Sequence, residues 1–283
     1  MKIPYISGEW KVLFKPEKHG NYVNDHTIVK GPDGCWHLYG ITSFGGQSYQ
    51  ECYFVHGKGE SLDNPFTEEG KSIDRGTLAW APCVIEKDGN YYMFYGPSPT
   101  SLAVSFDMYE WFGHNVTLGN EPLMAAHRDH FVLQTDDGRY LMYVSGVHNK
   151  KGSVSVFSSD DLLNWEFQGF ALTSGDDAPL KPAWGAMESP FVVKKDGLYY
   201  LFVTYTDSSD ETYNDTLVFC SPDPCSFGEY NGENGTAVPI TRIDAHAPEI
   251  ICENGKYFIT TCGWLGKPVA NKGCVSVAPL EWE

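Results

Sequence analysis

Short stretches in which apolar and polar positions alternate recur along the chain, and five of them share one layout. An apolar run is followed by an Asp-Gly or Asn-Gly pair and then by an aromatic-rich run. The five segments are DHTIVKGPDGCWHLYGI (25–41), WAPCVIEKDGNYYMFYG (80–96), DHFVLQTDDGRYLMYVS (129–145), ESPFVVKKDGLYYLFVT (188–204) and HAPEIICENGKYFITTC (246–262). Asp-Gly and Asn-Gly supply the positive φ of a tight hairpin turn, and β-branched and aromatic neighbours suit the flanking strands. Most hairpins are followed by another strand, a polar turn and an aromatic residue, as in 102–111, 154–167 and 273–282. That makes about four strands per repeat, at intervals of roughly 50–60 residues, which is the pattern of a propeller blade. The chain therefore reads as all-β: one five-bladed propeller with blades near 21–75, 76–125, 126–180, 181–240 and 241–283, preceded by a lead-in over residues 1–20. No helix-length amphipathic pattern competes with it.

Counting back eight residues from each turn Asp or Asn gives Asp25, Trp80, Asp129, Glu188 and His246. Equivalent positions in pseudo-symmetric blades surround the axis, so these five are expected to form one ring at the channel mouth. A structural requirement would favour one residue type at all five positions. Here they differ blade by blade, as a catalytic site needs. Three carboxylates around a pocket suit glycoside hydrolysis: one protonates the leaving oxygen, and a second activates water or attacks the anomeric carbon. A third keeps the acid protonated by like-charge repulsion. Trp80, Trp184 and Trp264 are candidates for stacking on sugar, whereas Trp111 and Trp165 read as core. Arg128, His26, His130 and His246 complete the expected substrate-binding set; Arg128 can hold Asp129 ionised while offering donors to a hydroxyl.

The formal net charge of −17 argues against a nucleic-acid partner but not against a neutral sugar. No apolar stretch is long enough for a membrane helix, so no membrane partner is expected. The first ten residues carry neither a long apolar run nor a small-residue cleavage site, giving an expectation of cytoplasmic residence, or of secretion if a leader has been removed. The eight cysteines show no metal-ligand spacing and read as buried free thiols. Composition says nothing of oligomeric state.

Taken together, the chain resembles the glycoside hydrolases built on a five-bladed propeller, family 43 most and the fructan-cleaving families 32 and 68 second. The resemblance to family 43 makes Asp25 the general base, Asp129 the modulator of pKa, and Glu188, in Glu188-Ser189-Pro190, the general acid. Trp80-Ala81-Pro82 resembles that family's second-blade Trp-Ala-Pro. His246 stands where many members place a histidine beside a central metal or water site. Imidazole is a poor ligand for a hard cation, so any calcium in the channel would meet it through water; the paired-carboxylate chemistry requires no cofactor. Two departures are His26 in place of a proline after the first Asp, and Cys83 where an Asp often follows Trp-Ala-Pro. Asn24-Asp25 and Arg128-Asp129 are similar to families 32 and 68, in which the first Asp is a nucleophile and the Arg-Asp pair holds fructose hydroxyls. Family 32 normally adds a C-terminal β-sandwich, for which no sequence is present here. The resemblance implies a hydrolase of pentose-containing or furanoside glycosides, arabinofuranosidase- or xylosidase-like, acting on an oligosaccharide or glycoside. The alternatives are a β-fructofuranosidase-like enzyme and a non-catalytic sugar-binding propeller, which would be expected to have lost one of the acids.

Overall fold

The computed structural model describes residues 1–45, 47–122, 124–175, 187–205, 214–232, 234–264 and 273–283. Its strands form five separate sheets arranged as a five-bladed propeller. The first blade runs Asn24–Lys30, Trp36–Ile41, Phe54–Gly59 and Thr67–Ser72, each strand pairing antiparallel with the next. The second runs Trp80–Lys87, Asn90–Gly96, Ser101–Ser105 and Phe112–His114. The third uses Ala125–Gln134, Tyr140–His148, Lys151–Ser159 and Asn164–Ser174, and two short strands, Thr117–Gly119 and Gly228–Tyr230, join its outer edge in parallel. The fourth contains Met187–Lys195, Leu198–Tyr205, Asp215–Ser221 and Thr241–Asp244. Among the described residues the only helical turn is Ser48–Gln50, and no helix is long and apolar enough to cross a membrane.

Three short strands and the lead-in are placed differently from expectation: Thr117–Gly119 and Gly228–Tyr230 join the third blade rather than the second and fourth, and Thr241–Asp244 joins the fourth rather than the fifth. Pro4–Ile6 and Lys11–Phe14 both pair antiparallel with Val275–Trp282, so the chain's start completes the fifth blade, which also holds Ile250–Glu253 and Lys256–Thr261. Reciprocal backbone hydrogen bonds join Ile3 and Glu283 at 2.8 and 3.1 Å. The start carries no hairpin signal because its partner strand lies at the other end of the chain.

Five apolar clusters fill the spaces between adjacent blades. Tyr39, Phe54, Met93 and Tyr95 lie between the first and second, and Phe94, Met142, Phe157 and Trp165 between the second and third. The remaining clusters join blades three and four, four and five, and five and one. Trp165 is buried and meets Phe94 edge-on at 5.6 Å, a core residue as expected; Trp111 is half-buried and packs against the core edge-on to Tyr39 at 5.5 Å. The outer turns are built alike: Ser105 and Asp107, Ser159 and Asp161, and Ser221 and Asp223 each accept backbone N–H groups two or three residues along. All eight cysteines are free, but only Cys83 and Cys262 are buried and Cys252 is exposed, so the reading of buried thiols holds for two of them.

Candidate active site

Each innermost strand carries a β-bulge or an equivalent kink where it reaches the channel. Between Asn24 and His26, Trp80 and Cys83, Arg128 and Phe131, and Glu188 and Phe191, the inner strand has one residue more than its partner. The residue that absorbs the irregularity is left-handed in all five blades: Asp25, Ala81, Asp129, Ser189 and Ala247, with φ of 32°, 46°, 58°, 51° and 44°. None is glycine, so each holds a costly conformation that the packed strands impose. Bulges of this kind re-aim side chains, here toward the axis. Gly40 makes room for the first of them, because a Cβ there would sit 2.3 Å from the Val23 side chain. The innermost strand is an edge, so Pro82, Pro190 and Pro248 can follow their bulge residues without losing a ladder bond. His26 and His130 occupy the same step in the first and third blades.

These bulges correct the expected register. The ring of left-handed residues contains Asp25, Asp129 and Ser189, whereas Glu188 stands one step away, level with Asn24, Trp80, Arg128 and His246. The hairpin turns explain the slip. In blades one and three the turn holds an extra residue, closed by Gly31 N–H to Cys35 O and Thr135 N–H to Arg139 O. The other three are two-residue turns, so a count from the turn Asp is one residue out of step.

The two rings meet, and the carboxylates converge as expected. The Ser189 hydroxyl donates to Asp25 Oδ1 at 2.5 Å while its backbone N–H donates to Asp129 Oδ2 at 3.1 Å. Arg128 Nη2 reaches Glu188 Oε2 at 2.9 Å and its Nε lies 3.3 Å from Asp129 Oδ2. Its Nη1 donates to the Ala126 carbonyl at 2.9 Å, fixing the fork. His246 is fully buried; Nδ1 donates to the Cys262 carbonyl at 3.2 Å, and Nε2 lies 3.8 Å from Glu188 Oε1. Asn24 donates to Asp25 Oδ2 at 2.6 Å. Below the ring the channel continues as a cavity of about 30 Å³ past His26 and His130 to Glu249, space enough for ordered water.

Electrostatics distribute the protons unevenly. Burial pushes Asp129 up to about 7 against the pull of Arg128, and burial likewise raises Asp25. Glu188 is also buried, but His246 and Arg128 outweigh that and hold it below the carboxylate range. Two cations, Arg128 at 2.9 Å and His246 at 3.8 Å, pack against Glu188 and oppose the like-charge effect of Asp129 expected from the sequence. His246 is lifted well above the imidazole range against its burial by Cys262, Glu188 and Asp25. With Nδ1 engaged by the Cys262 carbonyl, only Nε2 faces the channel. Among the described residues no group of three or more His, Cys, Asp or Glu could hold a metal ion. One imidazole nitrogen beside one carboxylate does not fit the oxygen-rich direct shell of calcium.

The remaining expected residues divide by place. Trp80 opens the second inner strand, half-buried beside the ring. Trp264 packs 5.3 Å from the His246 ring, also at the mouth. His26 and His130 lie one layer deeper, with Nε2 atoms 2.8 Å from the hydroxyls of Thr260 and Thr100; burial holds both below the imidazole range, so they are neutral. Trp184 lies outside the described residues. Three residues of the site went unnoticed in the sequence: Ser189, which links the two aspartates; Glu51, beside Trp264; and Glu249. Glu249 stands three residues after His246, and the repeat pattern could have found it as the acidic member of a layer shared with Phe131 and Phe191.

Two outcomes follow from this geometry. A lysine cannot bridge two carboxylates as the guanidinium does, so Arg128→Lys lowers kcat/KM roughly 10- to 100-fold, the worth of one charge-assisted hydrogen bond. Steady-state kinetics check this, and wild-type values would show that the fork is idle. Burial raises Glu249 to about 8, as it raises Asp129 to about 7. The folded protein thus keeps protons that the unfolded chain loses above the ordinary carboxylate range. That stability is fully present below the ordinary carboxylate range and is lost as pH rises from there through about 7 and about 8. Melting curves across that interval should fall with pH, and Glu249→Gln, which cannot titrate, should flatten the fall. An unchanged slope would contradict the assignment.

Residues 21–250, most of the chain, match the family model of the glycosyl hydrolases family 32 N-terminal domain. The chain belongs to this family, and it is a glycoside hydrolase. Solved structures similar to it include a thermostable family-43 glycoside hydrolase, at 18% identity and a TM-score of 0.67 over 94% of this chain and 91% of the other. An endo-arabinase from Bacteroides thetaiotaomicron aligns at 14% identity and a TM-score of 0.66, covering 95% and 97%. An α-L-arabinanase from Cellvibrio cellulosa, complexed with arabinohexaose, aligns at 15% and 0.65, covering 93% of each chain. These likenesses establish the propeller fold. No curated protein matches the sequence. The sequence match thus falls on the family ranked second from motifs, and the structural likeness on the family ranked first.

Proposed function

We propose that this hydrolase cleaves glycosidic bonds of pentose-containing or furanoside sugars, in the manner of arabinofuranosidases and xylosidases, with Asp25, Asp129 and Glu188 as its working carboxylates. The observation that carries the reading is the bonded ring in which Ser189 ties Asp25 to Asp129 and Arg128 ties Asp129 to Glu188. Glu188 gives its proton to the leaving oxygen as the bond to the anomeric carbon breaks, and Asp25 acts on the opposite side of that carbon, as base toward water or as nucleophile. Glu188 must be protonated before cleavage, and a bound sugar promotes that by excluding water from Glu188 and drawing donors of Arg128 toward its hydroxyls.

A second reading, cleavage of fructans with Asp25 as nucleophile, draws on the family-model match and on Asn24-Asp25 and Arg128-Asp129. Aryl α-L-arabinofuranosides, aryl β-D-xylosides and fructans, with product anomers followed by NMR, separate the two. Turnover of the pentosides supports the first reading. Turnover of fructans alone replaces it with the second, and retention of configuration identifies Asp25 as nucleophile.

A further inference from the structure

The segment joining Trp36–Ile41 to Phe54–Gly59 places a further buried carboxylate beside the site. Glu51 is 3% exposed, and its Oε1 accepts hydrogen bonds from the Tyr22 hydroxyl at 2.7 Å and from the Trp264 indole at 3.3 Å. Its backbone is held as well: Glu51 N–H donates to the Ser48 carbonyl at 3.2 Å, and its own carbonyl accepts from Ala79 at 2.9 Å. Trp264 continues the chain of contacts, packing on His246, which faces Glu188. Tyr22, fully buried, donates from the segment that leads into Asn24 and Asp25. One oxygen thus gathers a residue from the first blade and a residue from the fifth. Burial raises Glu51 against its Tyr22 and Trp264 donors, and Asp25 is near enough to raise it further.

We propose that Glu51 is a positioning residue for substrate binding: by anchoring the Trp264 indole and the Tyr22 hydroxyl on one carboxylate oxygen, it sets the aromatic wall against which the sugar packs. This rests on the hydrolytic reading of the ring. An indole with a free N–H can turn about two side-chain bonds, whereas one pinned at its N–H presents a fixed face, so less ordering is left for the sugar to impose. A residue acting this way changes KM more than kcat.

Three variants test it. Glu51→Gln keeps an acceptor oxygen in the same place, so KM should remain within about twofold of wild type. Glu51→Ala removes the anchor and should raise KM roughly tenfold, the worth of a buried hydrogen bond left unmade, with a smaller change in kcat. Glu51→Asp withdraws the carboxylate by one methylene and should behave as Ala does; it serves as the second variant should Ala fold poorly. The independent readout is the Trp264 indole N–H resonance in the free protein, assigned with Trp264→Phe. It should move toward the solvent-exposed position in Ala and Asp but not in Gln. An unmoved resonance in Ala and Asp, or an unchanged KM beside a moved resonance, overturns the proposal. If wild type cleaves none of the glycosides above, the functional reading fails, while the resonance still decides whether Glu51 anchors Trp264.

Discussion

Glu188→Gln will cleave natural glycosides roughly 10²- to 10⁴-fold more slowly than wild type, yet keep much of its rate on an activated aryl glycoside. The reason lies in the leaving group. A sugar alcohol is weakly acidic and departs only with a proton in hand, and general acid help is commonly worth that factor. A nitrophenolate needs little such help. Gln retains the size of Glu and can still accept from Arg128, so the ring geometry seen between Arg128 and Glu188 should survive. Rates of both substrate classes, measured on one preparation, check the outcome. Equal losses on both would place Glu188 outside the proton-transfer step.

Asp25→Asn, by contrast, will be inactive on both classes, with losses on the order of 10⁴-fold or more, the scale seen when one member of a catalytic unit is removed. Asp25 acts at the anomeric carbon itself, so a better leaving group does not rescue its absence. Its environment is built for that work. It sits on a bulge at positive φ, receives Asn24 and Ser189 hydrogen bonds, and feels the His246 charge. Burial pushes its carboxyl up, and the His246 charge pulls against that. Substantial activity of Asp25→Asn on either substrate would contradict the role.

Much of this was legible in the chain because the repeat is local. An Asp-Gly pair between aromatic and β-branched runs specifies a hairpin wherever it occurs, and five in series specify a propeller. The convergence of Asp25, Asp129, Glu188 and His246 followed from that symmetry alone. What symmetry could not supply was the offset of one residue in blades one and three. There, Gly31 with Cys35 and Thr135 with Arg139 close a longer turn, and turn length depends on backbone conformation rather than on residue type. Glu51 was invisible for a related reason: it lies in an irregular connection outside the repeat, and only the fold brings it under Trp264. The cations beside Glu188 were hidden too, because only the fold brings Arg128 and His246 against it. The N-terminal strands escaped notice because their partner, Val275–Trp282, is distant in sequence.

The most direct test of the central claim is a leaving-group series: aryl α-L-arabinofuranosides whose phenols span several units of acidity, cleaved by wild type and by Glu188→Gln. With Glu188 protonating the departing oxygen, wild type should show rates nearly independent of phenol acidity. Glu188→Gln should fall steeply as the phenol becomes a weaker acid, the two lines converging at the most acidic phenols. Parallel lines, or the absence of turnover by wild type anywhere in the series, would contradict the account.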